Sequence, residues 1–214
     1  MDIKERNRHI FELVYMNAMR DALLQKAFEG SKKDLMNNKK NGVRKVVQNH
    51  INDIINGKYI KKEQEDYDND FYKLADSICE KINNNEFTFG NAQKLINMTV
   101  KYFYLLAYNN QDMTSKFKYC HCPMDKIIKD KVVLEYRNSG HKEYLKFKMY
   151  GSEKEAWSYV TWSDIEKHEP DNDVKFGIDV YKQFQNMVRY LSGKELIPIE
   201  YDYKNYYDEN DLDD

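Results

Sequence analysis

The chain has 214 residues, and its 34 Lys and Arg nearly balance its 36 Asp and Glu, which gives a formal net charge of -2. This balance excludes a whole-molecule attraction to polyanions, so nucleic-acid binding would need a local basic patch. A hydrophobic content of 41% excludes disorder throughout. We expect one globular domain over residues 1–200, followed by an acidic, tyrosine-rich tail over residues 201–214.

The sequence contains no apolar run of transmembrane length, and its N-terminus lacks the apolar core of a secretion signal. It therefore predicts a cytoplasmic protein that has no membrane partner. The cysteines form an odd set, Cys79, Cys120 and Cys122. Such a set is typical of reduced thiols and not of a disulfide framework.

Apolar residues recur at helical spacing in four stretches of the N-terminal half. The first predicted helix spans Arg8 to Phe28, the second spans Val43 to Ile55, and the third spans Asp68 to Ile82. A fourth spans Asn91 to Tyr108, and its apolar residues surround the helix too broadly for a surface position. We expect this fourth helix to lie at the centre of the fold.

The C-terminal half predicts a mixture of elements. Pro123 suits the start of a helix that would continue through Ile128. The runs Val132–Tyr136 and Tyr144–Tyr150 flank a turn-forming Asn-Ser-Gly segment, which predicts a β-hairpin. A last helix is expected from Val180 to Leu191. The predicted fold class is therefore mainly α, a bundle-like single domain with a small antiparallel β-hairpin.

One lysine and one aspartate are placed where they could do chemistry. Lys94 is expected in the first turn of the fourth helix, where the helix dipole and partial burial would lower the pKa of its amine and favour a nucleophile. Asp125 follows 31 positions later. Gln93, Asn97 and Lys101 fall near Lys94 on the helix surface and could line a cleft with it.

The residues around this lysine and aspartate resemble a known family of enzymes. Gly90–Met98, Val100–Tyr104 and Cys122–Asp125 are similar to the catalytic stretch of helix-hairpin-helix DNA glycosylases, in particular the archaeal 8-oxoguanine branch, over about a fifth of the chain. The resemblance implies that Lys94 attacks the sugar of a flipped nucleotide in DNA and that Asp125 assists. On this resemblance the protein would excise a modified or damaged base.

Further residues are assigned to binding on this hypothesis. Gln93, Asn97, Lys101 and His121 would contact the substrate. A basic stretch could contact phosphates, although such stretches are more often solvated helix faces. Its candidate residues are Lys39, Lys40, Arg44 and Lys45.

A simpler interpretation stays open for each of these residues. Lys94 could be an ordinary exposed lysine, and Asp125 an ordinary carboxylate at a helix start. The alternative function is a non-enzymatic interaction protein, such as a phage or bacterial regulator or inhibitor, that binds a protein partner. Cys120-His121-Cys122 is too closely spaced for a usual zinc site, and we expect neither a metal nor a cofactor.

Overall fold

The computed structural model describes residues 3–23, 35, 42–84, 86–149, 152–154, 157–166 and 176–207. The chain is mainly helical in this part, as the sequence predicts. No helix in these ranges has both the length and the apolar character needed to cross a membrane. The described helices are α1 (Ile3–Leu23), α2 (Val43–Ile55), α3 (Gln64–Ile82), α4 (Phe89–Ala107), α5 (Gln111–Thr114), α6 (Lys126–Asn138), α7 (Ile178–Ser192) and α8 (Pro198–Tyr207).

The chain divides into two compact units. The first unit comprises Met1–Phe87 and Asn91–Tyr119, and the second comprises Thr88–Gly90 and Cys120–Asp214. The expectation of one globular domain through residue 200 stays a prediction.

The first unit is built from amphipathic helices whose apolar residues are buried at helical spacing. In α2 the side chains of Val43, Val47, Ile51 and Ile54 are buried, as the sequence pattern predicts. The predicted end of the first helix, after residue 23, lies outside the described residues. The four helices predicted for this half therefore exist, with starts that differ by up to five residues from those expected.

Helix α3 has clear signals at both of its ends. The backbone N–H of Glu63 donates to Asp66 Oδ2 at 3.1 Å, which satisfies one donor at the start of the helix. Asn83 ends the helix in the left-handed conformation with φ of 46°, a geometry that asparagine tolerates better than most residues. The structure thus confirms the end at Ile82 that the sequence predicts for this helix.

Helix α4 is buried around most of its circumference, as its broad apolar pattern predicts. Leu95, Ile96 and Val100 are fully buried, and so are polar residues such as Thr99. The Thr99 hydroxyl donates to the carbonyl of Leu95 at 2.7 Å, which satisfies this buried group within the helix itself.

The second unit corrects the predicted β-hairpin. Val132–Tyr136 lies in α6, where Ile128, Val132 and Tyr136 are buried at intervals of four residues. The β-branched run resembles a strand only over five residues, whereas the helical period extends back to Ile128. The hairpin expected between this run and Tyr144–Tyr150 is therefore not supported.

Extended structure in the described part of the second unit consists of short segments. The three-residue strands β1 (Phe147–Met149) and β2 (Ser152–Lys154) pair in antiparallel register, with Lys148 opposite Glu153. The two-residue strands β3 (Ile165–Glu166) and β4 (Phe176–Gly177) pair in parallel. These segments add little to a unit whose core is helical.

Helix α8 corrects the predicted start of the tail. The boundary at residue 201 falls inside this helix, and Tyr201 is buried. The Tyr201 hydroxyl donates to Glu135 Oε2 of α6 at 2.6 Å. Burial raises the pKa of Tyr201, and the Glu135 carboxylate raises it further. The remaining tail residues, 208–214, lie outside the described residues.

Candidate functional site

The predicted nucleophile lies farther into its helix than expected. Helix α4 begins at Phe89, so Lys94 is its sixth residue and lies in the second turn. The field of a helix N-terminus falls off within the first turn, which weakens the dipole argument for a lowered pKa of this amine. The Lys94 side chain is half-buried. Its predicted partner, Asp125, belongs to the other unit, and their convergence stays a prediction.

Asp125 has a structural role in its own unit. It is the N-cap residue of α6, and its Oδ1 accepts a hydrogen bond from the backbone N–H of Ile128 at 3.0 Å. An aspartate in this position stabilises a helix by about 1 kcal/mol because it satisfies an otherwise unpaired backbone donor. The simpler interpretation of Asp125, a carboxylate at a helix start, thus has direct geometric support.

The four residues predicted to bind substrate are all buried. Gln93 and Asn97 are fully buried, and Asn97 Nδ2 donates to Gln93 Oε1 at 3.0 Å. Lys101, one turn later, is 9% exposed. His121 is fully buried in the second unit, and its Nδ1 lies 2.9 Å from the Tyr181 hydroxyl. These contacts are those of a packed interior, and they do not favour direct substrate binding.

The four predicted phosphate contacts have different surroundings. Lys39 and Lys40 lie outside the described residues. Arg44 pairs with Glu12 of α1 within the first unit, so its charge is already compensated. Lys45 donates a hydrogen bond to a glutamine of its own helix at 2.9 Å. Arg44 and Lys45 therefore do not form an open basic patch.

A half-open cavity of about 530 Å³ lies within the first unit. Its lining comes from α1, α2, the C-terminal part of α4 and the segment that follows α4. None of the residues predicted for chemistry or binding is among its described lining residues. This volume falls within the range of roughly 300–1,000 Å³ that is usual for small-molecule sites. The cavity is therefore the candidate functional site.

One wall of the cavity is a stripe of carboxamides. Gln48, Asn52 and Asn56 follow each other at intervals of four residues along α2 and its C-cap, so they share one helix face. Asn110, after α4, adds a fourth carboxamide to the lining. Each carboxamide can donate and accept hydrogen bonds. The four-residue repeat of these carboxamides is a signal for this face that is already present in the sequence.

The apolar part of the cavity lining consists of aromatic and aliphatic side chains. Phe103 of α4 is half-buried in the lining, and Phe11 of α1, another lining residue, packs against it with ring centroids 6.3 Å apart and planes inclined by 29°. Phe117 is fully buried. Leu106 forms part of the rim and is 62% exposed. The cavity thus combines a flat apolar surface with a hydrogen-bonding stripe.

Arg8 is the charged residue of the described lining. The Arg8 side chain is exposed. Burial lowers the pKa of the neighbouring Arg44, and the positive charge of Arg8 lowers it further. Glu12 neutralises Arg44. The net charge of this trio is therefore positive, and it favours an anionic group at the cavity mouth.

No group of three or more His, Cys, Asp and Glu side chains in the described ranges is placed to hold a metal ion. Cys120, His121 and Cys122 are consecutive and buried.

Comparison of the whole chain with protein-family models, with curated proteins and with solved structures finds no match in any of the three. The cavity and its chemistry are therefore the structural basis for a proposed function.

Proposed function

We propose that this protein is a non-enzymatic binding protein and that the cavity of the first unit is its recognition site. The observation that supports this proposal is the composition of the described lining. Its polar members are Arg8, Gln48, Asn52, Asn56 and Asn110, and its other members are apolar.

Such a lining suits recognition better than chemistry. General acid and base catalysis needs a side chain that exchanges a proton near neutral pH, and covalent catalysis needs a nucleophile. Carboxamides do neither, and an arginine guanidinium stays protonated. An apolar cavity with a few hydrogen-bonding groups is the usual form of a site that binds and orients a ligand.

The experiment that tests this proposal fills the cavity. Anilinonaphthalene sulfonate, an aromatic anion whose fluorescence rises in apolar sites, is expected to bind the wild-type protein. Ala107→Trp, which places an indole in the lining, should weaken this binding at least about tenfold. Asn49→Trp, on an exposed position of α2, is the matched control and should leave binding unchanged. Absence of binding, or equal loss in both variants, would contradict the proposal.

The glycosylase function stays a second candidate, because Lys94 is half-buried in α4 while the residues next to it along the helix are fully buried. Borohydride trapping on oligonucleotides that contain abasic or modified bases distinguishes the two functions. Under the binding proposal we expect no covalent adduct with the wild-type protein. An adduct that disappears in Lys94→Gln and persists in Lys118→Gln, a change of an exposed lysine in the same unit, would establish the enzyme instead.

A further inference from the structure

We infer that the ligand of this cavity is a nucleotide, with its base against Phe103, its base edge at the α2 carboxamides and its phosphate at Arg8. This inference rests on the proposed function, since it names the ligand class of the same site. The chemistry is shared by a free nucleotide and by a nucleotide of a single strand, and the experiment below distinguishes these two sources.

The flat apolar wall fits a planar base. Phe103 is half-buried and lines the cavity, and the Phe11 ring, which also lines it, packs against Phe103 at a centroid distance of 6.3 Å. Bases stack on aromatic side chains through their π faces, whatever their sequence. A ring held by a second ring is a better platform than a mobile one, because less conformational freedom is lost when the ligand binds.

The carboxamide stripe fits the edge of the same base. Asn52 and Asn56 are exposed one turn apart on the face that lines the cavity. Asparagine and glutamine pair with bases because the amide supplies a donor and an acceptor side by side, as the edge of adenine does. A purely apolar ligand such as a lipid chain would displace water from these carboxamides without replacing its hydrogen bonds, which disfavours it.

The electrostatics fit a phosphate. Arg44 is compensated by Glu12, whereas Arg8 lines the cavity with an exposed guanidinium. Guanidinium groups bind phosphate oxygens through paired, charge-assisted hydrogen bonds. The other described lining residues are neutral, and a cation at the mouth of such a lining predicts a ligand whose charge is confined to one end.

The test is displacement of anilinonaphthalene sulfonate from the cavity by adenosine monophosphate, adenosine and a single-stranded oligo-dA. We expect adenosine monophosphate to displace the dye. Arg8→Gln should weaken the binding of adenosine monophosphate at least about tenfold and leave the binding of adenosine almost unchanged, because only adenosine monophosphate carries a phosphate. The matched control is Arg20→Gln, an exposed arginine of the same helix, which should change neither.

The base contacts have a separate readout. Asn52→Ala should weaken the binding of adenosine and of adenosine monophosphate by the same factor. Asn49 is an exposed neighbour on α2, and Asn49→Ala should weaken the binding of neither compound. Displacement by the mononucleotide alone supports a free ligand, and displacement by the oligonucleotide supports a strand.

Two results would overturn the inference. Dye that binds in the cavity and is displaced by none of the three compounds refutes the nucleotide and leaves the binding function standing. Equal losses of affinity for adenosine monophosphate in Arg8→Gln and Arg20→Gln would show that the phosphate is held by diffuse positive charge and not at this site. Failure of the dye itself to bind would instead refute the proposed function.

Discussion

Gly90→Ala is expected to destabilise the protein by about 3 kcal/mol or more, the upper end of the cost of overpacking. A Cβ on Gly90 would lie 1.6 Å from the carbonyl oxygen of Trp162 and 3.3 Å from the Cα of Ser163. The obstacle is backbone, which cannot move aside as a flexible side chain can. Thr88 binds the same segment, because its hydroxyl donates to the Ser163 carbonyl at 2.7 Å. The midpoint of urea unfolding measures the loss.

Gly140→Ala is the matched control for this change. Gly140 has a φ of +82°, and a Cβ at this position would meet no heavy atom within 4 Å. Its replacement therefore costs backbone strain alone, about 1 kcal/mol. If the two alanine variants unfold at the same urea concentration, the close approach at Gly90 does not limit stability.

Lys129→Met is expected to lower the free energy of unfolding by about 2–4 kcal/mol, because it removes two charge-assisted hydrogen bonds from the interior, although the Trp157 carbonyl also accepts from the backbone N–H of Val160 at 3.1 Å. Lys129 is 4% exposed, and its Nζ donates to the carbonyls of Trp157 and Val160 at 3.0 and 2.9 Å. Its third contact is Asp130 Oδ1 at 2.9 Å. Methionine keeps the length of the side chain but supplies no donor. Chemical denaturation followed by circular dichroism measures the effect.

Lys126→Met, an exposed change on the same helix, controls for the loss of a lysine charge from α6. We expect it to change stability by less than about 0.5 kcal/mol, as surface substitutions usually do. A loss in Lys129→Met no larger than in this control would show that the buried ammonium contributes no net stability. Such a result is physically meaningful, since the cost of removing a charge from water can offset its hydrogen bonds.

The elements that sequence patterns predicted best are those with long periodicity. Helix α2 was expected from Val43 to Ile55 and has these bounds, because its apolar residues repeat at helical spacing over its whole length. The run Val132–Tyr136 shows the opposite case. Its β-branched and aromatic residues suggested a strand, but Asp125 caps a helix that includes them. A short window cannot distinguish the two when the capping residue lies outside it.

The chemistry-bearing residues illustrate a second limit. Gln93, Asn97 and Lys101 do share a helix face, as their spacing predicts, and Asn97 binds Gln93. Spacing does not show whether a face meets solvent or a packed neighbour. All three are buried, so the face that resembled a binding cleft is part of the interior. The glycosylase resemblance therefore stays a prediction for the borohydride experiment.

The helical class of this protein and the approximate positions of most of its described helices follow from the sequence, because hydrophobic periodicity and capping are local properties. Only the tertiary structure revealed the candidate site. Its cavity joins Arg8, Asn52 and Phe103, which are far apart along the chain. Packing of helices decides which of many polar and aromatic residues face a common space, and no local pattern encodes that choice.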